Sequence, residues 1–178
     1  MNKLKIEELQ KRIYKQNVEM GWWDNPRSFE TFICLFHSEL SEAMEGDRKN
    51  LMDDHLPQYL MFWVEISDFV IRVMDWLGSK KFYEYDNLSS VDPFTSKINF
   101  LVIMHMQVTG AYEMYLDPYY FDKGEDCSFL AWSVVASFKF ADSQGIDLLK
   151  IIDEKVEYNK HRKDHKKENR EKINGKKY

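Results

Sequence analysis

The run PQYLMFWVEISDFVIRVMDWL, residues 57–77, decides the fold. Its apolar residues cover almost the whole circumference of a helix, so it predicts a helix buried on nearly every side at the centre of a helical assembly. The charges within it are the anomaly. Glu65, Asp68, Arg72 and Asp75 fall in one stripe about 80° wide. Three acids on a buried helix are costly unless paired, and Arg72 alone cannot neutralise them.

Outward from this run, Gly and Pro punctuate the chain at Gly21 to Pro26, Gly46 to Pro57, Gly78 to Pro93, Pro118 to Gly124 and Gly145. The segments between them have helical length. The spacing predicts helices over 3–20, 28–46, 57–78, 93–117, 126–144 and 147 to about 170, an all-α bundle of about six helices, with no segment reading as strand. Asp92 before Pro93 has N-cap chemistry, as does Asp147 after Gly145. Residues 1–163 form the expected domain, and the basic tail 164–178 is expected to fray because it has almost nothing apolar to bury.

The bulk numbers agree. With 178 residues, 44% hydrophobic and 31% charged, the chain supports one domain with a real core. The N-terminus alternates charge with Leu4, Ile6, Leu9 and Ile13, and no apolar stretch approaches the roughly 20 residues that cross a bilayer. The expectation is a cytoplasmic protein without a membrane partner. Cys34 and Cys127 each sit in an apolar segment and are expected as buried reduced thiols. The last 20 residues carry 9 Lys/Arg and 3 Asp/Glu, so the rest of the chain holds −11 of the net −5. That tail has a single aromatic residue and no stacking platform, which counts against nucleic acid as a partner.

On the helix before the decisive run, Phe29, Phe32, Ile33, Phe36, Leu40 and Ala43 share a face. Glu39 lies about 60° from its centre and Glu42 about 60° further, whereas Glu45 points to solvent. Glu39-Leu-Ser-Glu42 and Glu65-Ile-Ser-Asp68 thus stand on adjacent helices. A divalent cation between them would relieve their repulsion, and an all-carboxylate ligand set suits Mg²⁺, with Mn²⁺ able to substitute. Asp68 is expected to be repelled by its neighbours, so that Asp68→Asn leaves the metal-free fold as stable or more so. A di-iron carboxylate bundle needs two Glu-x-x-His motifs, and none is present. A non-catalytic helical interaction protein holding a structural cation is the alternative.

The stretch GWWDNPRSFETFICLFHSELSEAMEGDRK (21–49), followed by VEISDFVIRVMD (64–75), resembles the MazG-like all-α nucleoside triphosphate pyrophosphohydrolases, relatives of the dimeric dUTPases, whose signature is an ExxE helix followed by an ExxD helix. GIDLLKIIDEKVEYNKHR (145–162) resembles the closing helix of that family. Residues 79–144 do not share the likeness. The resemblance implies that Glu39, Glu42, Glu65 and Asp68 bind Mg²⁺, that water attacks a nucleoside triphosphate, and that nucleoside monophosphate and pyrophosphate leave. Glu42, furthest from the apolar face of its helix, is favoured as general base beside Glu39, but the sequence does not separate base from ligand. Lys155, Asn159 and Arg162 lie within about 60° on the last helix and, with Arg72, suit contacts to phosphate or base. Of the pair Trp22 and Trp23, one is expected in the core, and Trp22 is the candidate to stack on a nucleobase. His37 and His105 read as lone structural histidines.

A faint internal repeat aligns CLFHSELSEAME (34–45) with VIMHMQVTGAYE (102–113), and Trp63 and Phe69 with Trp132 and Phe138. It places Gln107, Gly110, Val134 and Ser137 at the positions of the four acids, which makes the second half a degenerate copy with no anionic ligand. A chain that pairs with itself has less need of a homodimer, which remains open to it on another surface.

Overall fold

The computed structural model describes residues 3–25, 27–85, 93–121, 124–172 and 174. They form eight helices: α1 (Lys3–Glu19), α2 (Phe29–Lys49), α3 (Met61–Ser79), α4 (Lys97–Leu116), α5 (Pro118–Phe121), α6 (Glu125–Ser143), α7 (Leu148–His161) and α8 (Lys167–Arg170), with a 3₁₀ turn at Lys163–His165 before the last. Among the described residues there is no strand, only an isolated bridge between Met52 and Leu60. None of the described helices is long and apolar enough to cross a membrane. α5 and α8 are single turns that the spacing did not anticipate, which raises the expected six helices to eight.

α3 is the hub, packed by α1, α2, α6 and α7. This explains its apolar circumference, since every face meets another helix. Fifteen of its nineteen residues are buried, from Phe62 to Gly78. It starts at Met61 rather than 57, because the chain from 51 to 60 is held in turns by Asp53, whose carboxylate accepts from the backbone N–H groups of His55 and Leu56. α2 begins at the Ser28 cap and ends at Asn50, whose left-handed backbone (φ 50°) returns its N–H to the carbonyls of Gly46 and Asp47. α4 starts four residues later than expected: Ser96 is its cap, accepting from the N–H of Asn99. Asp92 lies outside the described residues.

The repeat register recurs in this geometry. Ser28 and Ser96, 68 residues apart as are Cys34 and Val102, cap α2 and α4 in the same way. The equivalent pairs Phe32 and Phe100, Phe36 and Met104, Leu40 and Val108, and Ala43 and Ala111 are all buried. α2 packs on both α3 and α4, and α6 on both α4 and α3, so hairpin α2/α3 faces hairpin α4/α6. α2 and α4 run antiparallel, with Glu30 meeting Tyr112 (3.4 Å), His37 meeting His105 (2.8 Å) and Asp47 meeting Lys97 (2.6 Å). His37 and His105, aligned with each other in the repeat, meet between α2 and α4. At Gly110, the counterpart of Glu42, a Cβ would lie 2.6 Å from the Phe129 ring, so the second half uses this position for close helix contact.

One expectation is corrected: Cys34 is exposed on α2, beyond the edge of the apolar face, whereas Cys127 is buried as expected. The described part of the basic tail has contacts with the turn after α1. His165 is buried, the Arg170 guanidinium lies 4.0 Å from the Trp22 ring and donates to the Met20 carbonyl (2.8 Å), and Lys167 bonds Asp24 (2.7 Å). Cations on an aromatic ring and on a carboxylate dock this segment, a means of attachment that a search for apolar residues misses.

Candidate active site

The apolar face of α2 turns toward α3, which carries the flanking Glu39 into the interface while Glu42, one turn on, stays at the rim. Glu39 is 5% exposed and Glu65, opposite it on α3, 7%. One carboxylate oxygen each of Glu39, Glu42 and Glu65 lies within 4.8 Å of the others. Burial, followed by the charges of Asp68 and Glu39, pushes the Glu65 carboxyl up to about 9. Burial also raises Glu39, which accepts a hydrogen bond from Glu65. Glu42 accepts from Ser38 Oγ at 2.8 Å.

The remaining charges of the α3 stripe are paired by elements distant in sequence. Arg72 Nε donates to Glu39 Oε1 (2.5 Å), turning away from its own helix. Lys155 of α7, only 2% exposed, places Nζ 3.0 Å from Asp68 Oδ2. Arg27 lies 3.7 Å from Asp75 Oδ2, and Trp23 Nε1 donates to Asp75 Oδ1 (2.9 Å). Burial still drives Asp75 up to about 6 against these partners. Arg72 alone does not serve the acids of the stripe: Lys155 pairs Asp68 and Arg27 lies beside Asp75. The uncompensated groups are those of the three-carboxylate cluster, which keeps a single arginine. Asp68 stands apart from that cluster, bound to Lys155 and facing the adjoining cleft.

This cleft opens between α1, α3 and α7, with about 660 Å³ of empty space that includes the open solvent at its mouth. Trp22, Arg72, Asn159 and Arg162 line it with Asp68, so four of the five residues expected at a substrate are gathered on one surface. Lys155 is the exception, being buried against Asp68. Trp22 presents an edge to His165, with ring centroids 5.2 Å apart, and carries Arg170 on its face. Trp23 is the core member of the pair, stacked on Phe32 at 5.5 Å.

Two features escaped the sequence. Arg27, in the turn after α1, also lines the cleft; it belongs to no periodic pattern. His37 and His105 meet Nδ1 to Nδ1 with ring planes 9° apart. Their centroids are 5.1 Å apart, longer than the 2.8 Å contact by about two ring radii, so the rings lie edge to edge and one Nδ1–H donates to the other Nδ1. The alignment of His37 with His105 in the repeat was the signal for this contact.

The carboxylate donors fit a hard divalent ion: oxygen-only ligands, three converging groups, and an open side at Glu42. No family model matches the chain, and neither a curated protein nor a solved structure matches it.

Proposed function

We propose that the chain is a Mg²⁺-dependent nucleoside triphosphate pyrophosphohydrolase, converting a (deoxy)nucleoside triphosphate and water into the monophosphate and pyrophosphate. The observation that carries this reading is the convergence of Glu39, Glu42 and Glu65 beside a cleft lined by Asp68, Arg72, Arg162 and Trp22. An ion-binding group and a cationic, aromatic-walled cleft are the two halves of a nucleotide site.

Glu39, Glu42 and Glu65 would hold Mg²⁺, with Mn²⁺ as substitute. When bound, the ion neutralises phosphate charge and acidifies water. Glu42, exposed and oriented by Ser38, takes a proton from water as its oxygen bonds the α-phosphorus. The bond from that phosphorus to the bridging oxygen breaks, and pyrophosphate leaves with that oxygen. Arg72 spans Glu39 and the cleft, and Arg162 closes the other side, so guanidinium groups flank the transferred charge. Lys155 fixes Asp68 and acts as a positioning residue rather than a phosphate ligand.

Incubation of pooled nucleoside triphosphates with the protein and Mg²⁺, followed by phosphorus NMR, tests the assignment. Monophosphate and pyrophosphate are expected as first products. Diphosphate with orthophosphate would overturn the bond assignment, and Mn²⁺ binding without cleavage of any triphosphate would favour the non-catalytic cation-site reading.

A further inference from the structure

Two unmet hydrogen-bonding groups mark the inner part of the cleft. Among the described residues, the buried Nε and Nη2 of Arg27 have no hydrogen-bond partner, and neither has the buried Oδ1 of Asn159 across the cleft on α7. Nε and Nη2 carry the two parallel N–H bonds along one edge of a guanidinium, the edge that grips a pair of acceptors side by side. The Arg27 guanidinium lies 4.3 Å from the Phe32 ring centroid and 5.3 Å from that of Trp23, which fixes its position. Its acidic neighbour Asp75 is held at 3.7 Å by the Trp23 indole, beyond hydrogen-bonding reach. Buried donors left unpaired in this way are costly, so a ligand that meets them gains affinity.

A phosphate would satisfy Arg27, but it would meet Asp68 and Asp75 on the same cleft and offer Asn159 Oδ1 only another acceptor. A flat ring with acceptors toward Arg27 and a donor toward Asn159 meets both needs, between walls that include Trp22, Phe32 and Ile71. Among the bases, only guanine (O6 and N7) and cytosine (N3 and O2) present two adjacent acceptors beside donor N–H groups. Adenine sets a donor next to each exposed acceptor of its amino edge, and uracil or thymine interposes N3–H between its carbonyls.

We propose that the cleft selects a base with an adjacent acceptor pair, guanine or cytosine, read by the Arg27 fork with Asn159 Oδ1 taking the donor. This rests on the nucleotide reading above. Calorimetric titration of the full chain with GMP, CMP, AMP and UMP is the test, joined by 7-deaza-GMP, which lacks the N7 acceptor, and by turnover of the four triphosphates. GMP or CMP is expected to bind at least about tenfold more tightly than AMP and UMP, the discrimination of one bidentate contact. Arg27→Lys, which keeps the charge and loses the fork, is expected to remove that preference. If guanine is read through O6 and N7, 7-deaza-GMP falls to the level of AMP, a result that needs no variant to fold. Equal binding of all four, binding of none, or a preference unchanged in Arg27→Lys would overturn the proposal. Triphosphate cleavage without base preference would remove this inference and leave the pyrophosphohydrolase standing. Selective monophosphate binding without cleavage would do the reverse.

Discussion

Asp68→Asn separates the role of this residue in the fold from any role in chemistry. Asp68 is 17% exposed in its side chain and pairs at 3.0 Å with Lys155, which is 2% exposed. Removing one partner of a buried ion pair leaves the other charge without compensation and typically costs about 3–5 kcal/mol. The partial exposure of Asp68, the Asn oxygen that still accepts from Lys155, the remaining pull of Asp53 on the ammonium and the relief of the Asp68 charge on Glu65 place this pair below that range, at about 2–3 kcal/mol. For a chain of this size the loss lowers Tm by about 4–12 °C. Mutual repulsion of carboxylates predicts the opposite sign. Urea unfolding of the chelator-treated protein measures it, with Lys155→Met and the double variant completing a cycle in which the double variant recovers most of the loss. An Asp68→Asn protein as stable as wild type in the absence of metal would refute the pairing argument.

Glu42→Gln should abolish turnover while shifting metal-free stability by less than about 0.5 kcal/mol, because Glu42 is exposed; retained activity would remove it as base. Glu65→Gln should lose the rise in Tm that Mn²⁺ gives wild type, since the ion binds only the folded state, and scanning calorimetry with and without Mn²⁺ decides the matter. Burial lowers the pKa of both His37 and His105. The unfolded chain therefore binds more protons, and this contribution to stability is complete above about pH 6.5 and is lost as pH falls through the folded values. Replacing both with Gln should flatten stability against pH between about 7 and 5, and an unchanged slope would show that the pair does not titrate in this way. Arg170→Ala should cost about 1 kcal/mol and shift Trp22 emission to the red as the ring loses its cation; unchanged emission would mean the tail does not rest on Trp22.

What could be read from the sequence was periodic. The apolar circumference of α3 announced a central helix, and the angular placing of Glu39 and Glu42 on α2 set both acids at the flank of its apolar face, where Glu39 is buried and Glu42 exposed. Less was legible where partners are far apart in the chain. Lys155 is 87 residues from Asp68, and its position on the polar strip of α7 gave no hint that it inserts beneath the cleft rather than lining it. Arg27 sits in an irregular turn where no period exists to reveal its direction. The start of α4 shows two local signals in competition: Asp92 and Pro93 have the right chemistry, but Ser96 supplies the cap. The packing of residues 163–172 depends on a guanidinium meeting an indole ring, to which hydrophobic patterning is blind.

The meeting of His37 with His105 also bears on how such a chain can change. In an assembly of two identical copies, a residue on the two-fold axis faces itself, and one mutation alters both sides of the contact at once. Here the two sides are separate codons of one polypeptide. His37 and His105 can be exchanged independently, and an unequal pair with one fixed donor and one fixed acceptor, such as His opposite Asn, is open to this chain and closed to a symmetric dimer. The same freedom extends to the positions of Glu39 and Glu42, where α4 has Gln107 and Gly110. Because α2 and α4 are encoded separately, a change at Gln107 or Gly110 leaves Glu39 and Glu42 untouched, and Gly110 can serve its contact with Phe129 alone.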